Sequence, residues 1–122
     1  MDKDFKELRI WQAGRELRNE LFDWCKRLPA DERYRLADQV IRASRSVTAN
    51  IAEGYGRYHY KETLQYGRQS RGSLYELLDH IDVAVSCGYI DKSTAKYLDD
   101  KIHGTIKGLN AYLKYIKNQQ PK

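Results

Sequence analysis

At 122 residues the chain is the size of one domain with one core, and 41% hydrophobic against 32% charged residues is the balance of a folded chain, not a disordered one. No run approaches the ~20 apolar residues of a membrane span, and the opening Met1-Asp2-Lys3-Asp4 lacks the pattern of a signal peptide. Only Cys25 and Cys87 occur, which excludes a disulfide scaffold and a cysteine-based zinc cluster; the expectation is a cytoplasmic protein with reduced thiols, no metal and no cofactor. The net charge is +5, from 22 Lys and Arg against 17 Asp and Glu. Residues 33–71 hold eight basic groups and three acids, so the whole excess lies in the middle third and the remainder balances.

Apolar residues recur at three- and four-residue steps throughout, which predicts helices and no strands. In the first segment Ile10, Ala13, Leu17, Leu21, Trp24 and Leu28 form one face that Pro29 helps to stop. The second carries Leu36, Val40, Ala43, Val47 and Ile51 until Gly54 and Gly56 break it. The third begins near Lys61 with Leu64, Leu74, Leu78, Ile81 and Val85 on one stripe, and Gly88 is suited to a left-handed C-terminal cap. Asp91 can cap the fourth, whose stripe is Ala95, Leu98, Ile102, Ile106, Leu109, Leu113 and Ile116. The helices span about 6–28, 33–54, 60–87 and 91–118 of a single domain over 1–122. Short connections favour antiparallel neighbours, hence an all-α, up-down-up-down four-helix bundle.

Residues outside these stripes carry the functional signal. On the second helix Arg35, Gln39, Arg42, Ser46, Ala49 and Glu53 lie opposite the apolar face. An Arg-dominated face is either a solvated surface or a site for phosphate or carboxylate. Gly72 sits inside the third helix, where Gly costs ~1 kcal/mol relative to Ala. Tyr97, Gly104, Gly108, Ala111 and Tyr115 form a small-and-aromatic stripe on the fourth, a poor solvated face and a candidate subunit contact. Tyr55, Tyr58, His59, Tyr60 and Tyr66 interleave with Arg57, Lys61 and Arg68. Such a cluster either seals the end of a bundle or grips phosphates while bases stack.

Catalytic patterns are missing. His59, His80 and His103 have no second His or Cys at ligand spacing, and Glu76 with His80 reads as a helical hydrogen-bonded pair. Gly54-Tyr55-Gly56 lacks the third glycine and preceding strand of a nucleotide loop. No histidine follows an Arg by five to seven residues, the pattern of RNA-cleaving four-helix domains. The expectation is a non-enzyme.

The string Gln39-x-x-Arg42-Ala43-x-x-Ser46-Val47-x-x-Asn50-Ile51-Ala52-Glu53-Gly54-Tyr55-Gly56-Arg57 resembles the signature of the four-helix-bundle family named after the 23S rRNA intervening-sequence protein, also labelled ribosomal protein-like. Phe5–Ala13 resembles the family's opening and Arg71–Leu77 its third-helix motif. The resemblance implies a cytoplasmic bundle that assembles as a homopentamer, similar in fold to the basic pentameric accessory protein of diversity-generating retroelements. Thr48 replaces a common Pro, His59 and Tyr60 replace a Ser/Thr cap, and Gly67 stands where a larger apolar residue is usual, a space that Tyr66 or Tyr60 could fill.

Together these readings give a non-catalytic, oligomeric bundle that binds RNA through a basic surface of residues 33–71. Arg35, Gln39, Arg42, Arg45, Asn50, Glu53, Arg57, Lys61, Arg68 and Arg71 are its candidates for nucleic-acid or subunit contact. Gly72, Tyr97, Gly104, Gly108 and Tyr115 are candidates for the oligomer interface, with Glu53 bridging to a neighbour's Arg. The alternative is an adaptor for an acidic protein partner, such as a reverse-transcriptase-like enzyme, without a direct nucleic-acid role.

Overall fold

The computed structural model describes residues 4–119; Met1 to Lys3 and residues 120–122, with the start of the opening tetrapeptide and Pro121, lie outside the described residues. Within them are four long helices and no strand: α1 (Arg9–Cys25), α2 (Leu36–Gly56), α3 (Tyr60–Ser86) and α4 (Lys92–Asn118). No helix among the described residues is long and apolar enough to cross a membrane.

The ends of α1 and α2 differ from the sequence expectation for local reasons. Phe5–Glu7 forms a separate 3₁₀ turn, opened by the Asp4 carboxylate accepting from the Lys6 amide. α1 stops at Cys25, short of Leu28, because the amides of Lys26, Arg27 and Leu28 reach back only three residues. That tightened turn precedes Pro29, which disfavours an α conformation for the residue before it. A second 3₁₀ turn, Ala30–Glu32, leads into α2, and the Leu36 amide donates to the Glu32 carboxylate at 3.3 Å. Arg35 is the residue preceding the helix (φ −119°, ψ −99°), so it does not continue the Gln39–Arg42 stripe.

Gly54 and Gly56 do not break α2, which runs through both. A Cβ on Gly54 would stand 3.1 Å from the Tyr66 Cβ and 3.2 Å from the Thr63 backbone, so this glycine lets α2 and α3 approach closely. The helix ends at Gly56 with Arg57 as its cap, and the next residue, Tyr58, adopts φ +60°. That conformation costs a non-glycine residue ~1–2 kcal/mol. α3 ends at the equivalent position with Gly88 (φ +74°), the ordinary solution.

Each helix runs antiparallel to its neighbours. Gly14 meets Thr48 while Cys25 meets the Ala37 carbonyl, which sets α1 against α2. Thr63 donates to the Gly54 carbonyl at 2.9 Å and Ser70 to that of Val47 at 2.8 Å, setting α2 against α3. Gly67 faces Leu113 and Arg71 bonds Asn110, setting α3 against α4. Glu20 meets Tyr97 and Lys101, and Ile10 meets Gly108, closing α4 onto α1. The α2–α3 turn therefore shares one end of the bundle with the start of α1 and the end of α4. The α3–α4 connection shares the opposite end with Ala30–Glu32, where the Tyr89 hydroxyl donates to Glu32 at 2.7 Å.

The core is built from Leu17, Leu21, Val40, Val47, Leu74, Leu77, Ile102 and Leu109 among others, each worth ~1.5–3 kcal/mol of burial. All five predicted α2 residues are in it. In α3 the inward residues are Leu77 and Ala84 where the sequence stripe had Leu78 and Val85; Val85 is exposed. The stripe is hard to phase because polar residues interrupt it: Thr63 and Ser70 satisfy their hydroxyls on α2 carbonyls, and buried His80 bonds Glu76 at 3.0 Å. Gly67 is filled by Leu113, not by Tyr66 or Tyr60: an added Cβ would collide with the end of that leucine. Thr48 keeps α2 regular, donating to the Arg45 carbonyl and accepting from Arg18.

Candidate polyanion interface

The ten candidate contact residues do not form one patch. Arg35 lies at the start of α2, and Gln39 and Arg42 are exposed farther along it, with Arg42 paired to Asp38 at 2.9 Å. Arg45 lines a groove between α1 and α2 beside Arg18 and Phe22. Asn50 is turned toward its own helix, donating to the Ser46 carbonyl and hydroxyl at 2.9 Å each. The Ser46 hydroxyl also accepts from Ser73 of α3 at 2.9 Å.

Glu53 bridges within the chain: its carboxylate lies 2.9 Å from the Arg57 guanidinium, and Glu62 approaches the same group at 3.6 Å. Arg57 also donates to the Tyr66 hydroxyl at 3.0 Å. The Glu53 hydrogen bond, with smaller help from Tyr66 and Glu62, holds the guanidinium still more firmly in its charged form. With two carboxylates beside it, that charge is spent internally and offers little to a phosphate.

Arg68 and Arg71 are different. They line a groove of about 390 Å³ between α3 and α4, together with Leu64, Asn110, Leu113, Lys114 and Lys117. Its walls carry four cations and no carboxylate. Arg71 donates to the Asn110 side chain at 2.7 Å, which fixes one guanidinium across the helix–helix seam. Lys61 lies on the same face of α3, seven residues before Arg68. Residues 63–75 and 101–119, which face one another here, contain no Asp or Glu at all. Attraction to an anion is therefore opposed by no nearby acid, and low-dielectric groove walls strengthen it.

Sequence reasoning found Arg68 and Arg71 but left out Lys114 and Lys117. Along the chain, the lysines of residues 101–117 are cancelled by the six acids of residues 72–100, so the last third looks neutral. Antiparallel pairing separates the two groups. Asp79, Asp82, Asp91, Asp99 and Asp100 lie toward the Tyr89 end together with Lys92 and Lys96, while Lys114 and Lys117 lie at the end opposite it. The absence of any acid after Asp100 was the available signal.

The proposed interface residues divide as well. Gly72 and Gly104 are exposed, and a Cβ on either would meet nothing within 4 Å. Gly108 instead lies 3.5 Å from Ile10 when given a Cβ, in the seam between α4 and α1. Tyr97, half-exposed, donates to Glu20 of α1 at 2.5 Å, and this bond pushes its phenol pKa up. Tyr115 is exposed. Other cavities suit an anion less well. The cleft of about 470 Å³ between α1 and α4 mixes Glu20 and Asp23 with Arg27, and that of about 560 Å³ around Phe22, Pro29 and Ile41 is largely apolar. Among the described residues no three His, Cys, Asp or Glu side chains converge on a metal position.

Fold and groove together define a small antiparallel four-helix bundle with a cationic cleft along one helix pair. The family model of the 23S rRNA-intervening sequence protein matches residues 6–111, and the chain belongs to that family. Its fold is that of a protein of unknown function from the S23 ribosomal protein family of Bacteroides thetaiotaomicron, with a TM-score of 0.80 at 15% identity, covering 86% of this chain and 95% of the other. No curated protein matches the sequence.

Proposed function

We propose that the protein is a non-catalytic, oligomeric RNA-binding bundle whose contact surface is the α3–α4 groove, not the whole of residues 33–71. The observation that carries this reading is the convergence of Arg68, Arg71, Lys114 and Lys117 with no acid on the groove walls. Two arginines offer planar forks for phosphate, and two lysines add mobile point charge. Such a site recognises a polyanion by its backbone and carries no base code of its own. A family named for an rRNA insertion supports RNA as the polyanion. Gly72 lies one turn beyond Arg68 on the α3 face that Lys61 shares, so subunit contact is assigned to the outer faces of α2 and α4, supported by Gly104, whose missing side chain no contact within this chain requires.

The test is binding of a fluorescent structured RNA by wild-type protein and by Arg68→Glu/Lys114→Glu. Both side chains are exposed, so the exchange leaves the core intact. Loss of binding in the variant at unchanged helicity supports the reading, and equal binding refutes it. For the oligomer, light scattering on Arg42→Glu/Gly104→Leu is expected to show dissociation; an unchanged mass removes these residues from the interface.

A further inference from the structure

The α2–α3 turn sits at the same end of the bundle as the cationic groove and carries an unexplained arrangement of rings. Tyr58, His59 and Tyr60 follow one another and are all exposed, Tyr58 at 74% and Tyr60 at 40%. The Tyr58 and Tyr55 ring centroids are 6.4 Å apart at an angle of 49°. Tyr58 takes its left-handed conformation at a helix end where α3 uses Gly88. A large ring held in a strained conformation and left in water contributes nothing to the core. Sealing the bundle does not explain it, because that role falls to the more buried Tyr55, Tyr66 and Tyr112. Strain of this kind persists where the displayed side chain has a use.

What lies beside the rings indicates the ligand. From Tyr60 the outer face of α3 continues through Lys61 to Arg68 and Arg71, about 15 Å from Lys61 to Arg71 at helical rise. The one acid in this stretch, Glu62, is turned to Arg57. A cationic track ending on exposed aromatic rings matches a chain of phosphates that carries flat, unpaired bases. A duplex hides those faces in its own stack, and a simple polyanion has none.

We infer that the groove and the α2–α3 turn form one site for single-stranded RNA, with phosphates along Lys61, Arg68, Arg71 and Lys114 and an unpaired base stacked on Tyr58. The inference rests on the groove reading and adds its ligand class. Fluorescence anisotropy separates the two, using an unstructured RNA of about 12 nucleotides, the same strand annealed to its complement, and heparin as a baseless polyanion. Tyr58→Gly is expected to weaken binding of the single strand about tenfold, the size of one lost stacked base. Duplex and heparin binding stay unchanged, and the melting temperature does not fall because the strain is relieved. Tyr58→Trp restores single-strand affinity. If Tyr58→Gly leaves single-strand affinity unchanged, or weakens all three probes alike, the stacking site is wrong while the groove stands. If wild-type protein binds none of the three, both fail.

Discussion

The two ends of the bundle are built on different terms. At the end that holds the α3–α4 connection, polar groups are matched to one another. Tyr89 donates to Glu32, Glu32 also accepts from the Leu36 amide, and Asp91 caps α4 by accepting from the Thr94 amide at 2.7 Å. The helix turns there on a glycine. At the other end a tyrosine occupies the left-handed position, and His59 precedes α3 with no side-chain cap bond. Three exposed rings and a run of cations face solvent there. Both ends join helices through side-chain bonds and both expose a ring, Tyr34 beside Arg33 at the Tyr89 end, but only the other end combines a strained tyrosine with a groove of cations and no acid. In a bundle whose cohesion comes from its apolar interior, such an end is free to bind.

The largest effect that would break this contrast lies in the interior itself. Leu109→Ala, at a fully buried position between the two ends, is expected to destabilise by about 2–5 kcal/mol in denaturant unfolding. Next comes the pair of α3 glycines, which look alike in sequence. Gly67→Val forces its side chain into Leu113 and is expected to cost about 1–3 kcal/mol. Gly72→Ala meets open space and is expected to raise the stability of the monomer by up to ~1 kcal/mol. A lower melting temperature for Gly72→Ala at equal assembly would contradict the open environment.

Smaller effects probe the Tyr89 end. The hydrogen bond to Glu32 pushes the Tyr89 pKa up to about 12 and, from the other side, lowers that of Glu32. A raised folded-state pKa gives stability that is full below the unfolded tyrosine value of about 10 and is lost as pH rises toward 12. The lowered Glu32 value gives stability present above the ordinary carboxylate range and lost as pH falls through it. Tyr89→Phe is expected to flatten the alkaline limb of a melting profile, and an unaltered limb would show that the bond contributes nothing in solution. Finally, burial pushes the Cys25 thiol up to about 11 while Cys87 is exposed. A thiol reagent at pH 8 is expected to label Cys87 rapidly and Cys25 only on unfolding.

How far the sequence disclosed these regions follows from how each is encoded. The α2 core was legible because Leu36, Val40, Ala43, Val47 and Ile51 are uninterrupted aliphatics at helical steps. Both cap assignments held, since Gly88 and Asp91 act through local backbone geometry. The α3 register was ambiguous between adjacent Leu77 and Leu78 because Ser70 and His80, buried but hydrogen-bonded, do not read as core. Gly54 read as a helix breaker because its purpose, close approach to Thr63, is a tertiary fact. The groove was half legible. Arg68 and Arg71 stood within the basic third, whereas Lys114 and Lys117 joined them only through the antiparallel pairing of α3 with α4. Glu53, read as a link to another subunit, meets Arg57 one turn away on its own helix.

The central claim is that the α3–α4 groove is where the protein meets nucleic acid, and the salt dependence of single-stranded RNA binding tests it most directly. Four phosphates held by Lys61, Arg68, Arg71 and Lys114 give a slope of about −2.8 for log K against log salt, and Arg68→Glu/Lys114→Glu removes most of both the slope and the affinity. Binding that ignores salt, or a variant that keeps the wild-type slope, would contradict it.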